Sequence, residues 1–263
     1  MRALLFVPGD APQRLEKALD AGADALIIDL EDSVAASGKP AARRHAAAFL
    51  EKVGSTAGGP LLFVRVNALG TGLAEDDLAA VMPARPYGIV LPKAVMSADI
   101  RALDAHLHRL EAASGIAAGT TRILPIATET ARAVLALTNL SEGHPRLCGI
   151  TWGAEDLSAD LGAETNRDGT GAWTGPYRLA RDLTLLAAAA AETDAIDTVH
   201  LAYRDLAALE RECRAARRDG FVGKLAIHPA QVPVINAAFS PPRRPWPKRG
   251  PWSRPSRDHR GPV

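Results

Sequence analysis

Short apolar runs recur along the chain at 3–7, 25–29, 61–66, 88–91, 122–127, 147–152, 196–200 and 224–227. Each is too short for a buried helix and has the length of a buried strand. Between them lie stretches in which apolar residues return every three or four positions, the spacing of one helix face. These predict helices over 12–21, 40–52, 75–81, 98–113, 131–137, 177–191 and 205–218. Strand and helix alternate through about 240 residues, the usual size of a (β/α)₈ TIM barrel of the α/β class. A doubly wound open sheet is the competing architecture. It normally carries a glycine-rich turn after the first strand, and Pro8-Gly9-Asp10 is not that fingerprint.

The polar residues are distributed unevenly on this frame. Asp29-Leu30-Glu31-Asp32 ends the second run, Arg65-Val66-Asn67 the third, and Pro92-Lys93 follows the fourth. Glu129 follows the fifth, Glu155-Asp156 the sixth, and His228-Pro229 the eighth. In a barrel these positions converge on the C-terminal mouth, where chemistry is done. Charges gathered there cost free energy unless they are paired, solvated or bound to a ligand.

Glu129 and Asp156 come from successive strands. Two carboxylates so placed suit one hard divalent cation such as Mg²⁺ that keeps several waters. Arg65, at the end of an apolar strand, suits a two-pronged grip on a carboxylate. Other residues admit two readings. Asp29 either pairs with Arg65 across the mouth or serves the site, Glu31 and Asp32 either cap a turn or act in chemistry, and Lys93 binds an anion or makes a barrel salt bridge. His228 reads as a hydrogen-bonding residue ahead of its proline, and Trp152 as packing around the site. Arg14 follows the Pro8–Gln13 loop at a helix start. It is either a surface arginine or, with free backbone N–H groups, a contact for a phosphate-bearing cofactor.

Composition refines the picture. Of 263 residues 47% are hydrophobic, enough for a large core. The formal charge of +1 hides an asymmetry: from Ser240 onward seven Lys and Arg face one Asp, so the first 239 residues carry an acidic excess. An acidic body argues against nucleic-acid binding. The two cysteines, Cys148 and Cys213, have no metal spacing and imply no disulfide framework, which fits a reducing, cytoplasmic setting. The first apolar run is too short for a signal peptide, and none approaches the ~20 residues of a membrane span. The expected domains are therefore a barrel over 1–239 and a Pro/Arg-rich tail over 240–263. Seven prolines in that tail forbid regular helix and predict disorder.

Several strings together resemble the citrate lyase β-subunit family within the HpcH/HpaI aldolase group. They are Leu5-Phe6-Val7-Pro8-Gly9-Asp10, Asp29-Leu30-Glu31-Asp32-Ser33-Val34, Val64-Arg65-Val66-Asn67, Leu91-Pro92-Lys93, Glu129-Thr130-Ala131, Gly153-Ala154-Glu155-Asp156-Leu157 with Asp160-Leu161-Gly162, and Gly223 through Val232. They stand in the family's order over roughly residues 2 to 239. The resemblance implies a TIM barrel assembling as a trimer or hexamer, with Mg²⁺ held by Glu129 and Asp156. It implies that Arg65 and the backbone N–H groups around Gly153, Ala154 and Glu155 hold a 2-oxo acid such as oxaloacetate. Glu31 and Asp32 would organise metal waters and the site floor, and Arg14 would contact the phosphates of a coenzyme A thioester.

The chain also departs from the family. Val95 stands where an acidic residue usually follows Pro-Lys-Ala, and the Pro/Arg tail stands where a helical lid with an Asp-Gly segment usually follows. The leading expectation is a Mg²⁺-dependent carbon–carbon lyase cleaving a 3-hydroxyacyl-CoA, of citryl-CoA or malyl-CoA type, to acetyl-CoA and a 2-oxo acid. Its rivals are a metal-dependent aldolase for a free 2-oxo-4-hydroxy acid and a catalytically weak subunit of a larger lyase complex. No nucleic acid or membrane enters any of these.

Overall fold

The computed structural model describes residues 1–54, 58–95 and 97–240; the Pro/Arg-rich stretch from 241 onward lies outside them. Eight parallel strands alternate with helices. They are β1 (Ala3–Pro8), β2 (Ala25–Asp29), β3 (Leu61–Arg65), β4 (Gly88–Leu91), β5 (Arg122–Pro125), β6 (Ile150–Thr151), β7 (Ala195–Asp197) and β8 (Gly223–Ala226). Their order, β5-β4-β3-β2-β1-β8-β7-β6, leaves β5 and β6 at the two ends of the ladder. Two isolated parallel bridges, Ile123 with Leu147 and Ile126 with Thr151, join those ends and close a TIM barrel. Ala127 N–H to Thr151 O (2.9 Å) and Cys148 N–H to Ile123 O (3.1 Å) carry the seam.

Alternation along the strands builds two apolar layers. Leu4, Ala25, Ile27, Phe63, Val90, Leu124, Ile126, Ile196 and Leu225 form the packed barrel interior. Their neighbours, such as Leu5, Leu26, Ile28, Val64, Ile89 and Leu91, face the helices. The helices are α1 (Pro12–Ala18), α2 (Lys39–Val53), α3 (Ala74–Val81), α4 (Ser97–Ala113), α5 (Ala131–Ala136), α6 (Ala154–Leu161), α7 (Gly175–Ala190), α8 (Leu206–Asp219) and α9 (Val232–Phe239). Proline occupies the first turn of α1, α2, α7 and α9, where its missing N–H costs nothing.

The expected strands and helices are present with shifted ends. Strand 147–152 is regular only at Ile150–Thr151. Strand 196–200 runs instead over Ala195–Asp197, and the His200 carbonyl beyond it accepts from Gln231 Nε2 at 2.8 Å. α6 and α9 fall outside the seven expected helical segments. α6 buries only Ala154 and Leu157, so its apolar period is too sparse to register. Ser240, the last described residue, is tied back to the barrel by Arg2 Nη1 at 3.0 Å.

The fold also buries charge outside the mouth. Lys224 lies between β8 and the helices, paired with Asp197 (3.1 Å) and Glu212 (3.4 Å). Trp152 donates to Asp197 at 2.8 Å and stacks edge-on with Trp173. Trp152 is thus fully buried packing beneath the β6 loop, as its sequence context suggests.

Candidate active site

The register of the barrel assembles the site. Asp29 and Arg65 are paired neighbours at the ends of β2 and β3, each continuing an inward-facing row. Arg65 donates Nε and Nη2 to the two Asp29 oxygens, both at 2.7 Å. Its remaining nitrogen, Nη1, lies 3.0 Å from Glu31 Oε2 and 3.6 Å from Asp32 Oδ2. The guanidinium also covers the Phe6 ring. Of the two readings open for Asp29, pairing with Arg65 is what the fold contains.

The turn after β2 is built by its own side chains. Asp29 accepts from the N–H groups of Glu31 (2.9 Å) and Ser33 (3.1 Å), an Asx-type closure. Lys39 adds its ammonium to the carbonyls of Leu30 (2.9 Å) and Glu31 (3.1 Å) and to Asn67 Oδ1 (2.7 Å). Asn67 is held in turn by Asp77, which accepts from both its backbone N–H and its amide. Lys39 and Asp77 carry no mouth signal in the sequence, because each lies on a helix remote from any strand end.

Lys93 joins this cluster to the second carboxylate pair. Its ammonium donates to Glu31 Oε1 at 2.5 Å. Its backbone N–H donates to Glu129 Oε2. Glu129 is 2% exposed, and the carboxyl of Asp156 stands beside its own. It packs against Gly153 so tightly that a Cβ there would lie 2.7 Å from Glu129 Cγ. Thr128, absent from the expected site, accepts from Gly153 N–H at 3.1 Å and sets the approach of the β6 loop. Thr130 then caps α5 by accepting from Ala133 N–H, so Glu129 is pinned between a strand end and a capped helix.

Electrostatics divide the carboxylates. Burial raises Asp29, but Arg65 and the two amides outweigh it, and its pKa falls below the ordinary value. Glu31 moves up, because burial exceeds the help from Arg65 and Lys93. Glu129 is pushed well up, first by burial and then by the carboxyl of Asp156. Burial lowers Lys93, yet Glu31 more than compensates and holds it charged.

The expected residues therefore fall into three places. Glu31, Asp32, Arg65, Glu129, Asp156 and Gly153 meet at one mouth. Ala154 and Glu155 open α6, whose N-cap Gly153 supplies no side-chain bond. Among the described residues no acceptor meets the N–H groups of Ala154 and Glu155, an open helix start beside the carboxylates. The Glu155 side chain itself turns away to Asn166 Nδ2, 2.9 Å off. Arg14 stands apart on exposed α1. With Lys17 it rims a separate cavity of 370 Å³ lined by Phe6, Pro8, Ile227 and His228. His228 accepts from Ala230 N–H, shares a capping box with Gln231 and stacks on Tyr203, a structural histidine as expected.

As a metal centre the donors are two hard oxygen groups. Among the described residues no cluster of three or more His, Cys, Asp or Glu is placed to hold a metal ion. Two carboxylates without a third ligand do not make a closed cage. They do fit a cation that takes its other ligands from water and substrate.

Known proteins resemble this chain in sequence and fold. A (3S)-malyl-CoA thioesterase of Cereibacter sphaeroides is 37% identical over 244 residues, covering 91% of this chain and 77% of its own length. The citrate lyase β subunit of Mycobacterium tuberculosis, solved with oxaloacetate and magnesium, superimposes with a TM-score of 0.75 at 36% identity, covering 91% of this chain and 96% of that one. The protein CitE of the same organism, in complex with magnesium, acetoacetate and coenzyme A, gives a TM-score of 0.73 at 36% identity over 92% of this chain and 82% of that one. Residues 2–229 match the profile shared by such enzymes, and the chain belongs to the HpcH/HpaI aldolase/citrate lyase family.

Proposed function

We propose that this enzyme is a Mg²⁺-dependent carbon–carbon lyase that cleaves a 3-hydroxyacyl-CoA of citryl-CoA or malyl-CoA type to acetyl-CoA and a 2-oxo acid. The observation that carries the reading is the buried Glu129 carboxyl with that of half-buried Asp156 beside it, next to the open N-terminus of α6. Two neighbouring carboxyl groups, one of them buried and pushed well up, offer hard oxygens that a divalent cation can take. The solved relatives holding magnesium with oxaloacetate, or with acetoacetate and coenzyme A, support the same ion and ligand class here.

Glu129 and Asp156 would hold Mg²⁺, which when bound polarises the oxygens of the acid end and stabilises developing negative charge. Arg65 Nη1 and the N–H groups of Ala154 and Glu155 orient the carboxylate of that acid. Asp29 holds the guanidinium plane by its two-point pair, so Arg65 presents its remaining donors without rotating. The hydroxyl proton passes to a carboxylate of the Glu31–Asp32 turn. The C–O bond becomes a carbonyl as the adjacent C–C bond breaks, and its electron pair leaves with the carbon α to the thioester carbonyl as the acetyl-CoA enolate, which then takes up a proton. Glu31, lifted by burial, suits proton transfer better than the exposed Asp32. The Arg14–Lys17 cavity supplies two cations for the phosphates of coenzyme A.

A homotrimer or hexamer in the cytoplasm belongs to this reading. Exposed Leu135, Leu179 and Leu186 offer apolar surface for assembly, and both cysteines are free. No described helix is long and apolar enough to cross a membrane.

The name of the Cereibacter relative favours a second reading, hydrolysis of the thioester. Single-turnover reactions with malyl-CoA and citryl-CoA, with and without Mg²⁺, separate the two. Metal-dependent release of a 2-oxo acid with acetyl-CoA supports the lyase. Release of free coenzyme A with the intact hydroxy acid supports the hydrolase. Full turnover by a Glu129→Gln protein overturns the metal assignment.

A further inference from the structure

Three non-glycine residues among those described adopt positive φ: Arg85, Lys93 and Glu192. Arg85 closes the turn after α3, and Glu192 follows the end of α7. Lys93, at φ 53°, is the one placed in the mouth, and both ends of the residue are used there. β4 ends at Leu91, whose carbonyl still accepts from Ile126 N–H at 2.9 Å. Pro92 has no N–H to give. Lys93 therefore carries the first amide beyond the β4–β5 ladder, and the left-handed turn aims it at Glu129 Oε2. Its ammonium reaches the other way, to Glu31 Oε1 at 2.5 Å, and lies 3.9 Å from Asp32 Oδ2.

Strain in a non-glycine backbone persists where the surroundings hold it, and such residues gather at functional sites. From this geometry we infer that Lys93 is the positioning residue of the site. Its main chain fixes the Glu129 carboxyl for the metal, and its side chain fixes Glu31 for proton transfer. The inference rests on the metal reading above for its consequence in catalysis. The hydrogen bond at its centre does not.

An ordinary barrel salt bridge at Lys93 would work through the ammonium alone. The inference assigns the two halves of the residue different tasks, so variants separate them. Lys93→Gly keeps the left-handed turn and the N–H while removing the ammonium. Lys93→Val removes the ammonium and disfavours the turn, because a β-branched residue resists positive φ. Mg²⁺ titrated calorimetrically into the whole chain should bind Lys93→Gly within about threefold of the parent and Lys93→Val at least tenfold more weakly. With malyl-CoA, Lys93→Gly should lose kcat and shift the pH profile while KM for Mg²⁺ stays near that of the parent. Parent-like Mg²⁺ binding by Lys93→Val, or equal loss in both variants, overturns the inference.

The amide itself is read without metal. In ¹H–¹⁵N spectra of the metal-free protein, the Lys93 amide proton should lie downfield and move upfield in Glu129→Ala. An amide indifferent to that substitution overturns the inference whatever the metal does. If the amide responds as expected but Glu129→Gln binds Mg²⁺ like the parent, the positioning contact stands and the metal reading falls.

Discussion

Gly153 shows how a single hydrogen atom holds a site open. Its φ of −118° is ordinary for any residue, so conformation does not demand glycine. Space does: a methyl group would meet Glu129 Cγ at 2.7 Å and Ile126 Cγ2 at 3.4 Å. Glu129 cannot retreat easily, because the Lys93 amide holds its head and the Asp156 carboxyl stands beside it. Gly153→Ala should thus displace the carboxyl, cutting Mg²⁺ affinity by about tenfold or more, and overpack the loop by ~1–3 kcal/mol. Calorimetric titration beside a thermal melt checks both; a variant that binds the ion normally would show that the carboxyl moves freely. Arg65 makes a different kind of demand. Lysine there would keep the charge but lose the fork that meets both Asp29 oxygens at once. Arg65→Lys should raise KM for the acyl-CoA by about tenfold or more, with Mg²⁺ affinity little changed, in steady-state assays across both ligands.

At the scale of elements, α4 is locked to the β5–β6 region by an ion pair that no strand-end reading would find. Glu111, the buried acid near the end of α4, accepts both Nη atoms of Arg146, at 2.7 and 2.8 Å. It also takes the N–H groups of Gly119 and Thr121, each at 2.9 Å. Burial opposes the charge, but Arg146 and these amides outweigh it and bring Glu111 down to about 2. An unfolded glutamate titrates near its ordinary value, about 4.3. The folded pKa is the lower one, so the pair's contribution is complete above that ordinary value and disappears as pH falls through about 2. Glu111→Ala should cost ~3–5 kcal/mol at neutral pH, because it strands Arg146, and the gap to the parent should shrink on acidification below about pH 4. Denaturant unfolding at pH 7 and pH 3 measures it; a gap that is constant with pH would exclude the pair as its cause. The contrast with the mouth explains what was legible. Asp29, Arg65, Glu129 and Asp156 declare themselves because a charge at the end of an apolar run breaks a pattern. Glu111, Lys39 and Asp77 sit among ordinary helical polar residues, and Thr128 is a small side chain in an apolar run. Their burial is decided by which helix lies against which strand, and that arises only with tertiary packing. Helix α6 escaped for a related reason: two buried residues leave too little period to read, although Asp156, its chemical cargo, was plain.

Across the whole molecule, the carboxyl pair straddles the weakest join of the barrel. Every other neighbouring pair of strands shares a ladder, whereas β5 and β6 meet through two isolated bridges among the described residues. Glu129 follows β5 and Asp156 lies in the first turn of α6 after β6. A cation held by both would tie across that seam, where burial and the neighbouring Asp156 carboxyl push Glu129 well up. Binding energy then becomes folding energy, because the unfolded chain has no such site. At a free Mg²⁺ concentration about 100-fold above its Kd the gain is ~2.7 kcal/mol. For a chain of this size that corresponds to a rise in Tm of roughly 5–10 °C. The rise should be absent in Glu129→Gln and reduced in Gly153→Ala. Its location is as telling as its size. Amide hydrogen exchange should slow most at Ala127 and Cys148, whose N–H groups carry the seam, and least in the β1–β2–β3 ladder on the far side. Protection spread evenly around the barrel, or a Tm shift that survives Glu129→Gln, would place the ion elsewhere. Protection confined to the seam would mean that the site and the closure of the barrel are one structure, so that the residues committed to the ion also decide how firmly the last two strands meet.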